Sequence, residues 1–328
     1  MIAAYALMWE VINTHTPADK PALALEFAKQ MATCIEAKPE DRPAARLSVL
    51  TMLYDRVGKA SPPWRYELLL PLVAFATASG QAASLPQPTD LQHWLGAWGC
   101  DRAKRLAAYA ACADCALKLS GEAAAQHWLL LLLIDMEGAS AAELAVLKPR
   151  ALAALAAALR SPTEFVLDSL AALPAVQQLA ADAKHADAHK LLAIFAAGSL
   201  AEFDALVKAK PGVLAGLQLE PAAARRKMQL LTLISLARLA DGKEIGFDKV
   251  GSECDVPADE AEELVLDAIA AGLMDARIDE LRRVVRVGRC IHRQFGPAEW
   301  RALHDKLGEW KVTMQSMLEV VGTAPVAL

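Results

Sequence analysis

From residue 1 to about 240, Ala- and Leu-rich stretches of helical length are broken at short intervals by runs carrying Pro, Gly or Ser. The breaks include HTPADKP at 15–21, KPEDRP at 38–43, ASPPW at 60–64 and SLPQPTD at 84–90. LSG at 119–121, RSP at 160–162, LP at 173–174 and AKPG at 209–212 continue the series. A proline cannot donate to a helical ladder and restricts the residue before it, so each break ends one helix and starts another. Helices joined by such short connections pack as antiparallel hairpins, and stacked hairpins form a solenoid in which each unit covers its neighbour's apolar face. Composition supports this, with 55% hydrophobic but only 5% aromatic residues. An aliphatic core of Leu, Ala and Val favours helix, because Ala and Leu lose little rotamer freedom there. The sequence predicts a mainly α protein, with residues 1–183 as a helical-repeat array.

The pattern changes after Asp241-Gly242, a turn signal. Ile245 and Phe247 alternate with polar neighbours as a short strand does, and a brief helix follows over about 248–254. In VPADEAEELVLDAIAAG, Ala261, Leu264, Val265, Ala268 and Ile269 mark one helical face over 257–271. Pro257 suits its first turn, Asp259 and Glu260 suit its positive end, and Gly272 is placed to stop it. MDARID and VVRVGRC then alternate as two strands. With the preceding helix at 222–240, this is the element order of a winged helix.

Charge decides what this winged helix is not built for. Its second helix carries Asp259, Glu260, Glu262, Glu263 and Asp267 and no Lys or Arg, so a DNA major groove would repel it. The formal net charge of −5 also argues against general phosphate binding. The final strands are cationic, with Arg277, Arg282, Arg283, Arg286, Arg289 and Arg293 against Asp275, Asp279 and Glu280. Two readings stay open for them. One is a solvated face paired with its own acids, and the other is a contact with an acidic partner surface or RNA phosphate.

The sharpest periodicity lies at 297–321. Trp300, Leu303, Leu307, Trp310, Met314, Met317 and Val321 recur at alternating spacings of three and four, a heptad seam on a helix opened by Pro297. The helix either folds back on its own core or joins helices of other chains. The narrow stripe favours the second, since core-facing helices show broader apolar faces.

Catalytic and metal motifs are weak. Cys112-x-x-Cys115 stands alone inside a helical stretch and reads as buried thiols. His185 and His189 sit four apart without the Glu of a metalloprotease motif and read as exposed or capping residues. No glycine-rich phosphate loop or nucleophile elbow occurs, so the chain is read as non-catalytic, with neither metal nor cofactor. Six irregularly spaced Cys read as reduced thiols, and MIAAYALMWEVI lacks a basic leader region. The longest aliphatic run, WLLLLLI at 128–134, is far short of the ~20 residues a membrane span needs. A cytoplasmic protein with no membrane partner is expected.

Taken together, HKLLAIFAAGSLAEFDALVKAKPGVL at 189–214, ARRKMQLLTLISLARLADGKEIGFDKV and LMDARIDELRRVVRVGRCIHRQFG resemble the PCI family. That family is shared by the proteasome lid, the signalosome and eukaryotic translation initiation factor 3. H-R-x-F-G followed by the W-x-x-L-x-x-x-L-x-x-W of PAEWRALHDKLGEWK is the most diagnostic part and is similar to a subunit of the initiation factor. The likeness is strong over about 160–321 and traceable upstream through DLQHWLGAWGCDRAKRLAAYAACADC and LRSPTEFVLDSLAAL. The first forty residues match poorly, so the chain is expected to start downstream of the family's usual beginning.

The resemblance implies a PCI module at 184–293, with its winged helix at about 222–291, and a bundle helix at 297–321. It also implies a non-catalytic scaffold role in preinitiation complex assembly. The partners would be other PCI subunits of the factor and, through the complex, the small ribosomal subunit. A signalosome or lid subunit and an RNA-binding winged helix are the alternatives.

Overall fold

The computed structural model describes residues 14, 20–33, 43–58, 62–80, 86–240, 244–257 and 259–323. The expectations placed on MIAAYALMWEVI, on most of the HTPADKP and KPEDRP breaks, on the first two residues of SLPQPTD and on Asp241-Gly242 lie outside these residues. The chain divides into two compact units, Met1–Ser161 with Ala172–His189, and Pro162–Ala171 with Lys190–Leu328.

Up to Ser161 in the first unit, the described helices are α1 Lys20–Thr33, α2 Pro43–Gly58, α3 Pro62–Ser79, α4 Pro88–Ala97, α5 Arg102–Leu119, α6 Glu122–Ile134, α7 Ala141–Val146 and α8 Lys148–Arg160. Each packs on its neighbours in sequence or one helix further along, as in the pairs α1–α3, α3–α5, α5–α6 and α6–α8. That is the stacking expected of a helical-repeat array. Proline opens α2, α3 and α4, where a missing N–H costs nothing. The α5–α6 connection is only Ser120-Gly121, and Gly121 takes φ +88°, a region other residues reach only with strain.

Local caps fix the starts of α5 and α7. The Asp101 carboxylate accepts from Lys104 N at 2.9 Å, and Ser140 with Glu143 forms a reciprocal capping box. Between helices, Arg105 grips Asp135 through two nitrogens at 2.9–3.1 Å, which ties α5 to the end of α6. The core is aliphatic: Leu132, Leu133, Leu155 and Leu159 are almost wholly buried, with Trp128 beside them. Among the described residues no helix is long and apolar enough to cross a membrane.

A second group of helices follows: α9 Asp168–Ala172, α10 Pro174–Gln177, α11 Ala186–Ala197, α12 Leu200–Ala209, α13 Gly212–Gly216 and α14 Pro221–Leu239. After α14 come β1 Glu244–Gly246, α15 Phe247–Cys254, α16 Ala261–Ala270, β2 Met274–Asp279, β3 Val284–Cys290 and α17 Pro297–Thr323. This is the winged-helix order read from the sequence. The sheet is antiparallel in the order β1-β3-β2, with Ile245 opposite Val285 and Ala276 opposite Val287. Ile245, Val285, Val287 and Met274 turn inward, and α14, α15 and α16 pack on one another around that side.

A bulge between Asp275 and Ala276 breaks the β2–β3 register, and Gly288 is left without a partner residue. A side chain at 288 would come within 3.3 Å of the Asp275 carbonyl, so glycine lets the two strands close. Buried Gln229 on α14 donates to the Cys254 carbonyl at 3.1 Å and holds the end of α15.

Two boundaries differ from expectation. Phe247, read as part of the first strand, instead opens α15. The second helix starts at Ala261 rather than at Pro257. Asp255 takes a left-handed conformation, φ +50°, that ends α15. The Pro257 carbonyl then accepts from both Glu260 N and Ala261 N, so Pro257 belongs to a lead-in turn.

Candidate functional site

Seven residues before α17 determine where that helix goes, the joint from Cys290 to Gly296. Ile291 N donates to the Leu273 carbonyl at 2.9 Å, which ties the exit of β3 to the start of β2. Arg293 then turns inward and is only 7% exposed. Its guanidinium donates to the carbonyls of Ile194 at 2.6 Å and Phe195 at 3.0 Å, and reaches Ser235 Oγ at 3.4 Å. Those carbonyls belong to the last turn of α11; that of Ile194 also accepts from Gly198 N at 2.8 Å, so the cation is a second donor there and caps the helix C-terminus at Phe195. Reading Arg293 with the surface arginines is therefore corrected: its charge is spent inside the fold. Burial lowers its pKa to about 10, still cationic at neutral pH.

Further along the joint, Phe295 N donates to the Asp168 carboxylate at 3.2 Å. Glu299, in the first turn of α17, accepts from Gly296 N at 2.8 Å and from Arg238 at 2.6 Å. The Arg238 bond, followed by backbone donors, holds the Glu299 carboxyl below its usual range. His292, Phe295 and Trp300 stack edge to face with ring centres 5.3 and 4.8 Å apart. A groove of about 410 Å³ opens beside this joint, between the end of α14, β3 and the base of α17, with Cys290, Phe295 and Leu303 in its wall.

Beyond this base α17 has no cover among the described residues: every side chain from Arg301 to Glu319 is exposed. The seam residues stand open to different degrees, with Trp300 at 62%, Leu303 at 39% and Leu307 at 51%. Trp310, Met314 and Met317 lie between 55% and 62%. The side chain of Val321 lies outside the described residues. These residues leave a long apolar stripe exposed along one side of the helix.

Five arginines predicted for the wing lie on or beside the sheet, and all five are exposed. Glu244 on β1 accepts from Arg286 at 2.6 Å and Arg282 at 3.1 Å, and Arg286 first, then Arg282, holds its carboxyl below the usual value. Arg289 approaches Asp275 at 3.4 Å. Arg277 lies opposite Arg286 across the strands, and Arg283 sits in the tight turn at φ +50°. The chain thus supplies its own acids to three of the five. The main one, Glu244, is about forty residues away in sequence and only the β1–β3 pairing brings it close.

Cys112 and Cys115 are buried in α5, and burial pushes the Cys112 thiol up to about 12, so it stays protonated. His185 and His189 are half-buried near the start of α11. Among the described residues no three His, Cys, Asp or Glu side chains converge as metal ligands would. Sequence reasoning missed Asp168 and Arg238, whose partners lie 127 and 61 residues away. A basic residue in the last turn of α14 was the only local signal for either.

Comparison with known proteins bears on both halves of this region. A model of the PCI domain matches residues 221–289, from the start of α14 almost to the end of β3. A model described as eIF3 subunit M, C-terminal helix, matches residues 293–321, the end of the joint from Arg293 and most of α17. Eukaryotic translation initiation factor 3 subunit M of Aspergillus terreus is 30% identical, with 98% of this chain covering 70% of that protein. The subunit M of Aspergillus clavatus is 31% identical over 98% of this chain and 69% of its own length. That of Xenopus laevis is 30% identical over 90% of this chain and 78% of its own length. With the two models matching the winged helix and the exposed helix in turn, the chain belongs to the eukaryotic translation initiation factor 3 subunit M family.

Proposed function

We propose that this chain is a non-catalytic scaffold subunit of the initiation factor 3 complex and works in preinitiation complex assembly. Residues 1–183 serve as the helical array, 184–293 as the PCI module and 297–321 as the docking helix. The observation that carries the reading is the uncovered stripe of Trp300, Leu303, Leu307, Trp310, Met314 and Met317. An apolar seam this long is costly in water, and covering it with helices of neighbouring subunits recovers that cost. The winged-helix sheet adds a second contact, since β1 and β2 are both edge strands with backbone groups available for pairing. Two contacts in one chain raise the effective concentration of the second. The small ribosomal subunit is reached through the complex, in the cytoplasm.

Own-chain pairing of Arg282, Arg286 and Arg289 supports the structural reading of the wing over direct RNA contact. The test is truncation before Pro297 in cells. Stoichiometric recovery with the other subunits and with small ribosomal subunits should fall sharply while the remaining chain stays folded. Recovery at the full-length yield would sink the docking role of α17.

A further inference from the structure

The polar residues that border the α17 seam are sorted by sign. With Trp300, Leu307 and Met314 at heptad positions a, and Leu303, Trp310 and Met317 at d, the flanking e positions are His304, Lys311 and Leu318. The flanking g positions are Lys306 and Thr313, after Glu299, which is committed to Arg238. The helix's other carboxylates, Asp305, Glu309 and Glu319, occupy positions c and f on the far face. His304, Lys306, Lys311 and Thr313 are all exposed. The acids and bases of α17 nearly balance in number, so the cationic border arises from placement and not from an excess of basic residues.

Resting on the scaffold reading, we infer that α17 selects its partner by charge: it takes a helix with an apolar a/d seam bordered by Glu or Asp at e and g. In paired helices the e and g side chains face those of the partner and set partner choice. A second copy of this chain is the wrong occupant. Paired in parallel, Lys306 at g meets Lys311 at e, and an antiparallel pairing sets each border against its own kind. The parallel arrangement puts cation against cation, and with Glu299 committed to Arg238 neither arrangement offers Lys306 or Lys311 a carboxylate at e or g. The seam also broadens at its far end, because Leu318 at position e is 70% exposed beside Met317. A stripe of a, d and e residues suits a bundle of several helices better than a simple pair.

The inference is tested on the purified full-length chain with designed four-heptad peptides. All share Ile and Leu at a and d, and they differ only in carrying Glu, Gln or Lys at e and g. Calorimetry at low salt should rank them Glu, Gln, Lys, with about tenfold between the first and last. High salt should compress that range, as exposed charges are screened. In K306E/K311E the order should reverse while the unfolding midpoint stays put. Equal binding of all three peptides overturns the charge code and leaves the docking role of the seam standing. An unreversed order in K306E/K311E overturns it, as does failure of all three peptides to bind. So does sedimentation of the full chain as a dimer that loses its association when α17 is removed.

Discussion

The second unit contains two long helices with opposite fates. In α14 the apolar residues go all the way round: Met228, Leu230, Leu231, Leu233, Ile234, Leu236 and Ala237 are all buried. Neighbours close on it from several directions, namely α12, α15, α16 and β3. In α17 the large apolar residues keep to the seam and its flank at Leu318, apart from Val312, and beyond its base at Trp300 and Leu303 nothing among the described residues covers them. Both helices are well formed, so helix formation does not distinguish them. What differs is the angular width of the apolar face. A wide face is satisfied inside its own chain, while a narrow heptad seam fits a helical partner.

Truncating a core residue of α14 should give the largest effect. L231A removes a fully buried side chain and should cost about 3 kcal/mol of stability, read as the shift in urea midpoint. A loss below about 1 kcal/mol would mean that α14 is less tightly enclosed than its burial indicates.

The next effect tests the joint between the two helices. R293M leaves the Phe195 carbonyl without its Arg293 donor and takes one of two donors from the Ile194 carbonyl, and should cost about 2 kcal/mol, with faster amide exchange around the end of α11. A variant as stable as the parent would mean that the joint does not set the course of α17.

Lys227 offers a test of opposite sign. This α14 residue is 6% exposed over the Phe165 ring, and burial lowers its pKa to about 8 from 10.5. A base with a depressed folded-state pKa costs stability in full below pH 8, and the cost fades as pH rises from there towards 10.5. K227M should therefore gain about 2 kcal/mol at pH 7, and the gain should shrink by pH 9.5. Urea midpoints at the two pH values check both statements.

On α17 the same kind of truncation should do almost nothing to the isolated chain. L307A should change stability by less than about 0.5 kcal/mol while lowering recovery of the assembled complex. If it destabilises the isolated chain as L231A does, the seam is an ordinary core face and the contrast between the helices disappears.

The smallest expected effect lies at Glu244. Its carboxyl pKa is depressed by Arg286 and Arg282, so the stabilisation is present above the ordinary carboxylate pKa and lost as pH falls through the folded value. The thermal midpoints of E244Q and the parent should differ slightly at neutral pH and converge in acid. A difference that persists in acid would assign the contact a role other than charge pairing.

Much of the fold could be read in the chain. Pro62, Pro88, Ser120-Gly121 and Pro221 mark helix boundaries because their backbone chemistry acts locally and leaves few alternatives. The alternation in MDARID and VVRVGRC gave the two strands for the same reason. Pro257 misled because the left-handed turn at Asp255 displaces the helix start, and nothing in the local sequence requires that turn.

At the candidate site the seam was legible as periodicity. Its exposure was not, since a sequence does not say whether a stripe has been covered. The roles of the arginines were also hidden, and the joint shows why. Arg289 and Arg293 are four residues apart and identical in chemistry, yet one is a surface cation and the other caps α11 from within.

By itself, the sequence determined the helical punctuation, the winged-helix order, the heptad seam and the sign of the charges bordering it. Each depends on residues within a few turns or strands of one another. Tertiary structure alone decided which charges pair, which cation is buried and which apolar face stays in water. Those outcomes depend on contacts between segments some forty to 130 residues apart, such as Glu244 with Arg286 and Asp168 with Phe295. Such contacts form only once the chain has closed its loops, and no local pattern encodes them.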